Sequence, residues 1–181
     1  MPAMSEFSER LLSDSAKRNA RTARLRSLAF LLVPFLAILF QVYVTRFFGF
    51  LAYLELPLLV TIYYALSRRE PISAVFFGAG VGLVQDSLSI QPIGMYGIVK
   101  TLVGYFAASV SMRFDVENPV LIGILSFFFY FFHEFFYWVL KRALLGEMAN
   151  FDPEQTFIYG LLNAAVALPL FHILDKLKAR A

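Results

Sequence analysis

The chain has 181 residues, of which 59% are hydrophobic and only 16% charged, with a mean hydropathy of +0.67; soluble domains run near ~45–50% apolar and ~25% charged. This excludes a water-soluble domain and points to an integral membrane protein, with room for five or six spans at ~20 apolar residues each. The lack of cysteine excludes disulfide and thiolate chemistry, and a net charge of +3 without a basic soluble module leaves no nucleic-acid reader.

Residues 1–26 form a polar tail carrying Arg10, Lys17, Arg18, Arg21, Arg24 and Arg26. The apolar run behind it is long for a signal peptide and lacks a small-x-small cleavage site, so it is read as a retained first span. Apolar runs follow one another at 27–44, 47–66, 72–85, 92–112, 119–140 and 155–174. Six spans is the simplest count, giving a membrane domain at 27–175 and a short tail at 176–181. The third run is short, at about 14 residues, so a tilted or half-spanning helix is the alternative to a regular span there. Counted over alternate loops, twelve basic residues fall on one side and three (Arg46, Lys141, Arg142) on the other. By the positive-inside rule both termini are cytoplasmic.

Local signals mark several boundaries. Asp152, Pro153 and Gln155 supply an N-cap, a first-turn proline and a capping-box partner for the last span. Pro92 is expected to open the fourth span in the same way. Pro57 either starts a short second helix after Glu55 or kinks a longer one running from Phe47; both readings place Glu55 in the outer half of the membrane. The phenylalanines at 127–129, 131, 132, 135 and 136 are expected to face lipid for the most part. Gly78 and Gly82 form a GxxxG pair, either for helix packing within the chain or for a homodimer face.

Gly82-Leu83-Val84-Gln85-Asp86, then Pro92-Ile93-Gly94-Met95-Tyr96-Gly97 and Leu102-Val103-Gly104-Tyr105, form a more specific pattern. It resembles the MreD family of rod shape-determining proteins, whose members close a short glycine-rich span on Gly-Leu-x-x-Asp and turn into the next helix through a Pro-x-Gly-x-Tyr-like segment. Gln41 and the Leu-Pro-Leu-Leu at 56–59 also look like the family, so the likeness covers 27–175 and is strongest at 78–105. Lys100 and the His133-Glu134 pair match no family pattern.

The resemblance implies a non-enzymatic, cofactor-free scaffold of the bacterial cell-elongation machinery in the cytoplasmic membrane. Its implied partner is MreC, a single-span protein, within a complex that holds MreB, a SEDS glycosyltransferase and a class B penicillin-binding transpeptidase. It also implies an all-α fold similar to the substrate-binding component of energy-coupling-factor vitamin transporters, and such a transporter component is the alternative function. Gly78, Gly82, Asp86, Pro92, Gly94, Gly97 and Gly104 are the candidate structural or partner-binding residues.

Independently of the family, Gln41, Glu55, Lys100, Glu134 and Asn163 fall in one outer-half layer when counted at ~1.5 Å per helical residue. Lys100 shares a face with Gly97, Gly104, Ala108 and Ser111, and Glu134 is placed in register with Ser126, Tyr130 and Tyr137. Charges inside a membrane normally face the bundle interior and pair. The layer therefore reads as an interior polar cluster in which Lys100 pairs with Glu134 or Glu55, serving as a structural ion pair or as a binding pocket. Tyr130, Tyr137, Trp138 and Tyr159 lie near its outer mouth. Asp86 is placed to accept hydrogen bonds from the next helix's free N–H groups, or to contact a partner. His172 and Asp175 read as an interfacial ion pair, and the two histidines lie at depths that give no zinc site.

Overall fold

The computed structural model describes residues 31–89, 92–114, 116, 118–146, 148 and 150–180. The basic tail at 1–26 and the start of the first run lie outside the described residues. The described chain is helical: α1 (Leu31–Phe47), α2 (Leu56–Arg68), α3 (Pro71–Leu88), α4 (Met95–Ser111), α5 (Pro119–Leu144) and α6 (Pro153–Arg180). A π-turn at Phe40–Val44 widens α1, and a 3₁₀ turn at Gly49–Tyr53 links it to α2.

Proline sets most of the helix starts. Pro57, Pro71, Pro119 and Pro153 each stand in a first turn, where the missing N–H would have no partner in any case. Two of these starts are also capped by side chains. Asn118 Oδ1 accepts from Val120 N at 2.9 Å, and Asp152 Oδ1 accepts from the N–H groups of Glu154 and Gln155, both at 3.1 Å.

Helices α2 and α4 form the centre. Leu58, Leu59 and Ile62 of α2, Val103 and Ala107 of α4, and Phe129 of α5 are fully buried together. α3 lies along α4 in the most extensive contact of the fold, and α5 pairs with α6. The outward faces remain apolar: Phe76, Ile98, Val120, Ile124, Phe128 and Ile173 are all exposed. In water such a surface would aggregate; in a bilayer it is the lipid-facing side, since hydrocarbon tails are as apolar as leucine.

Several expectations change. Among the described residues there are six helices, of which α3, α5 and Pro153–Lys178 of α6 are long and apolar enough by length and composition to cross a membrane. The second run does not form one spanning helix. Leu54 and Glu55 are non-helical and α2 has only 13 residues, about 20 Å at 1.5 Å per residue, so the short-helix reading of Pro57 is the one found. The third run is not short, because α3 continues through Gln85-Asp86-Ser87-Leu88 to 18 residues. Pro92 does not open α4, which starts three residues later, after Gly94 adopts φ +101°. Among the phenylalanines of α5, Phe129 is fully buried and only Phe128 and Phe135 are exposed.

Candidate functional site

The break ahead of α2 frees backbone groups in the apolar interior, where each unmet N–H or C=O is costly. Asn163, fully buried on α6, closes the gap. Its Oδ1 accepts from Glu55 N at 2.9 Å, while its Nδ2 donates to Tyr53 O at 2.8 Å and to Tyr159 O at 2.9 Å. Stacking of Tyr53 on Tyr159, with centroids 4.0 Å apart, holds the same junction from outside. One amide thus fixes where the Glu55 side chain enters the bundle.

That side chain meets Lys100, which has no exposed surface at all, with Nζ 3.8 Å from Glu55 Oε2. The ammonium also lies 3.4 Å from His133 Nε2 and 4.4 Å from the centroid of the Tyr96 ring. With Lys100 donating to Nε2, the imidazole proton sits on Nδ1 and is donated to Glu134 Oε1 at 3.2 Å. The rings of Tyr96, His133 and Tyr137 lie parallel beside this chain. The result is a linear network, Glu55 to Lys100 to His133 to Glu134, in which every buried charge has an opposite charge or a polar ring against it.

The structure therefore brings Glu55, Lys100 and Asn163 into one cluster directly, and Glu134 through His133. Of the two carboxylates offered to Lys100, Glu55 is the one in contact. Gln41 does not join: it is buried, but its Oε1 has no hydrogen-bond partner among the described residues. The register given to Glu134 is corrected too. The buried face of α5 runs Ser126, Phe129, Tyr130, His133, and the next residue is turned by ~100°, which leaves Glu134 half-buried at the edge. His133 is the residue that the sequence reading passed over. Its spacing of seven from Ser126 was the available signal.

Glu134 also lines a cleft of about 240 Å³ between α5 and α6, walled by Tyr130, Tyr137, Trp138 and Tyr159. Lys141 lies over the Tyr137 ring at 5.1 Å and Arg142 over Trp138 at 5.7 Å. Among the described residues no three His, Asp or Glu side chains gather as metal ligands.

The second part of the site is the α3–α4 hairpin. Glycines let the two backbones touch: a Cβ on Gly78 would fall on the Lys100 carbonyl, 2.8 Å from its carbon, and one on Gly82 would lie 2.6 Å from Gly97 Cα. At Gly104 it would be 2.5 Å from the Ala74 carbonyl oxygen. These three glycines are consumed by packing within the chain, so the small-residue face is not free for a homodimer or a partner. The same packing presses Lys100 into the interior.

Asp86 finishes the hairpin. It is 1% exposed, and its carboxylate accepts from Gly94 N at 2.9 Å and Gly97 N at 3.1 Å through Oδ2, and from Tyr96 N at 3.1 Å through Oδ1. A carboxylate at the start of α4 meets both the free N–H groups and the positive end of the helix dipole. Pro92 makes only the turn, its carbonyl accepting from Met95 N at 3.4 Å. At the opposite end of the bundle, Asp175 accepts from Tyr63 OH at 2.8 Å. The expected pair with His172 is not formed.

The family of rod shape-determining protein MreD matches residues 23–179. No curated protein and no solved structure matches the chain, so the likeness to a vitamin-transporter component rests on the family resemblance alone. The match takes in both the buried network and the glycine-packed hairpin, and the chain accordingly belongs to the MreD family, membrane proteins with a role in determining rod shape.

Proposed function

We propose that the protein is a non-catalytic scaffold in the bacterial cytoplasmic membrane, which engages a single-span partner of the MreC type and so helps to position a SEDS glycosyltransferase and a class B transpeptidase. The observation that carries this reading is the family match over 23–179. The state of the polar groups adds to it. Glu55, Lys100, His133 and Asp86 are all engaged with one another or with backbone, which favours a rigid frame over a reaction centre. Both termini are cytoplasmic in this proposal, all six helices sit in the membrane, and the loops at 86–91 and 142–152 face outward, as the basic residues direct. With the small-residue face occupied, the partner docks on the outer-loop surface and the exposed apolar helix faces.

The test is co-purification of the full chain from its native membrane in mild detergent, followed by identification of the bound polypeptides. A one-span protein with a large outer domain is the expected companion. A pair of ATPases in its place, or submicromolar binding of a vitamin by the purified chain, refutes the scaffold and favours the transporter component.

A further inference from the structure

The end of the bundle remote from the Lys100 network holds a second and larger cleft, of about 410 Å³. It lies where α2 ends, α5 begins and α6 runs out. Two cations, Arg69 and Lys178, line it together with the Ser67 hydroxyl and Asp175. Asp175 is already held by the Tyr63 hydroxyl at 2.8 Å. Among the described residues neither Arg69 nor Lys178 has a carboxylate within ion-pair distance. Among the described residues, counting Asp175, the lining carries one uncompensated positive charge.

Arg69 stands out on the backbone as well. It follows the last residue of α2 at φ +56°, ψ +25°, and among the described residues it is the one non-glycine with positive φ. Glycine takes that position without strain and is the usual choice there. An arginine at such a turn projects its guanidinium from the cleft rim. Guanidinium binds phosphate with two parallel N–H bonds, and a neighbouring ammonium adds a point charge.

The rest of the lining is apolar. Val116 and Ile122 form a partly exposed wall, over a floor that includes buried Phe171. Along α5 that wall passes into exposed Val120 and Ile124, the surface that meets hydrocarbon. A ligand that fits presents one negative charge to Arg69 and Lys178 and a hydrocarbon chain to α5. An acidic peptide supplies the charge but not the chain.

We propose that this cleft is a binding site for a singly charged anionic phospholipid, its phosphodiester held by Arg69 and Lys178 and one acyl chain lying along Ile122 of α5. Basic pockets between helix ends bind lipid head groups in this manner. The site requires that the chain lies in a bilayer, and it is independent of the proposed partner.

The experiment is native mass spectrometry of the full chain in mild detergent with added phosphatidylglycerol or phosphatidylcholine. Retention of phosphatidylglycerol over phosphatidylcholine by about tenfold or more is expected, the usual effect of losing ~1.4 kcal/mol of recognition. Arg69→Gly removes the guanidinium while relieving the positive φ, so the fold is kept; it and Lys178→Ala should each lower retention severalfold. Arg113→Ala and Lys176→Ala, which remove charge outside the cleft, should leave it unchanged. Equal retention of the two lipids overturns the site. Indifference to Arg69→Gly and Lys178→Ala overturns it too, as does an equal loss in the Arg113 and Lys176 variants, which would mean diffuse surface charge.

Discussion

Lys100→Met is the most informative single perturbation, because it takes out the one charge of the network that is fully shielded from water. The ammonium is fully buried, 3.8 Å from a Glu55 carboxylate that is itself 8% exposed. At that separation and an effective dielectric of ~20, the attraction is about 4 kcal/mol. The cost of stranding one member of a buried pair, about 3–5 kcal/mol, is of the same size. Methionine restores the volume but leaves the buried Glu55 carboxylate without its opposite charge, so folded protein should fall by about two to four orders of magnitude relative to unfolded. The assay is unfolding of the detergent-solubilised protein by a denaturing detergent, followed through Trp138, the single tryptophan. Glu55→Gln in the same chain should recover most of the loss by removing the stranded charge. Glu134→Gln should recover little, because Glu134 is 32% exposed on its side chain and bonds to His133 instead. If Lys100→Met unfolds at the parental midpoint, or if Glu134→Gln gives the recovery and Glu55→Gln does not, the network as described is refuted.

Three further outcomes follow from the geometry. Gly82→Leu and Gly78→Leu should abolish accumulation of folded protein, since each Cβ would run into α4 backbone, whereas Gly80→Leu, with nothing within 4 Å of its Cβ position, should accumulate normally; immunoblots of membrane fractions read this, and equal levels for Gly80→Leu and Gly82→Leu would refute it. Asp86→Asn keeps an acceptor for two of the three backbone N–H groups and should lower stability modestly, while Asp86→Leu strands all three at about 1–3 kcal/mol each; thermal unfolding in detergent that ranks the two variants equally contradicts the capping role. For topology, a cysteine at Asn150 should react with an impermeant thiol reagent in intact cells and one at Ser67 should not, and the reverse pattern inverts the orientation.

Membership of the membrane class, the helical content and most helix starts were legible in the sequence because they rest on local chemistry. Apolar run length, first-turn prolines and the Asp152 cap act over a few residues and carry their meaning with them. The family pattern at 78–105 was legible for the same reason, since glycine spacing and Asp86 are read in one stretch of chain. The depth layer was partly legible: counting along each helix put Glu55, Lys100 and Asn163 at one level, where the structure joins them. What counting left open was rotation and partner. Whether His133 or Glu134 turned inward depended on how α5 packs on α4, a matter of ~100° per residue. The choice of Glu55 for Lys100 depended on the break at Leu54 and Glu55, which persists because Asn163, 108 positions away, takes the freed N–H. The fate of the Gly78 and Gly82 face was likewise decided by tertiary packing. A GxxxG pair states only that a backbone can come close, and here the backbone that comes close is the chain's own, between Tyr96 and Thr101 of α4.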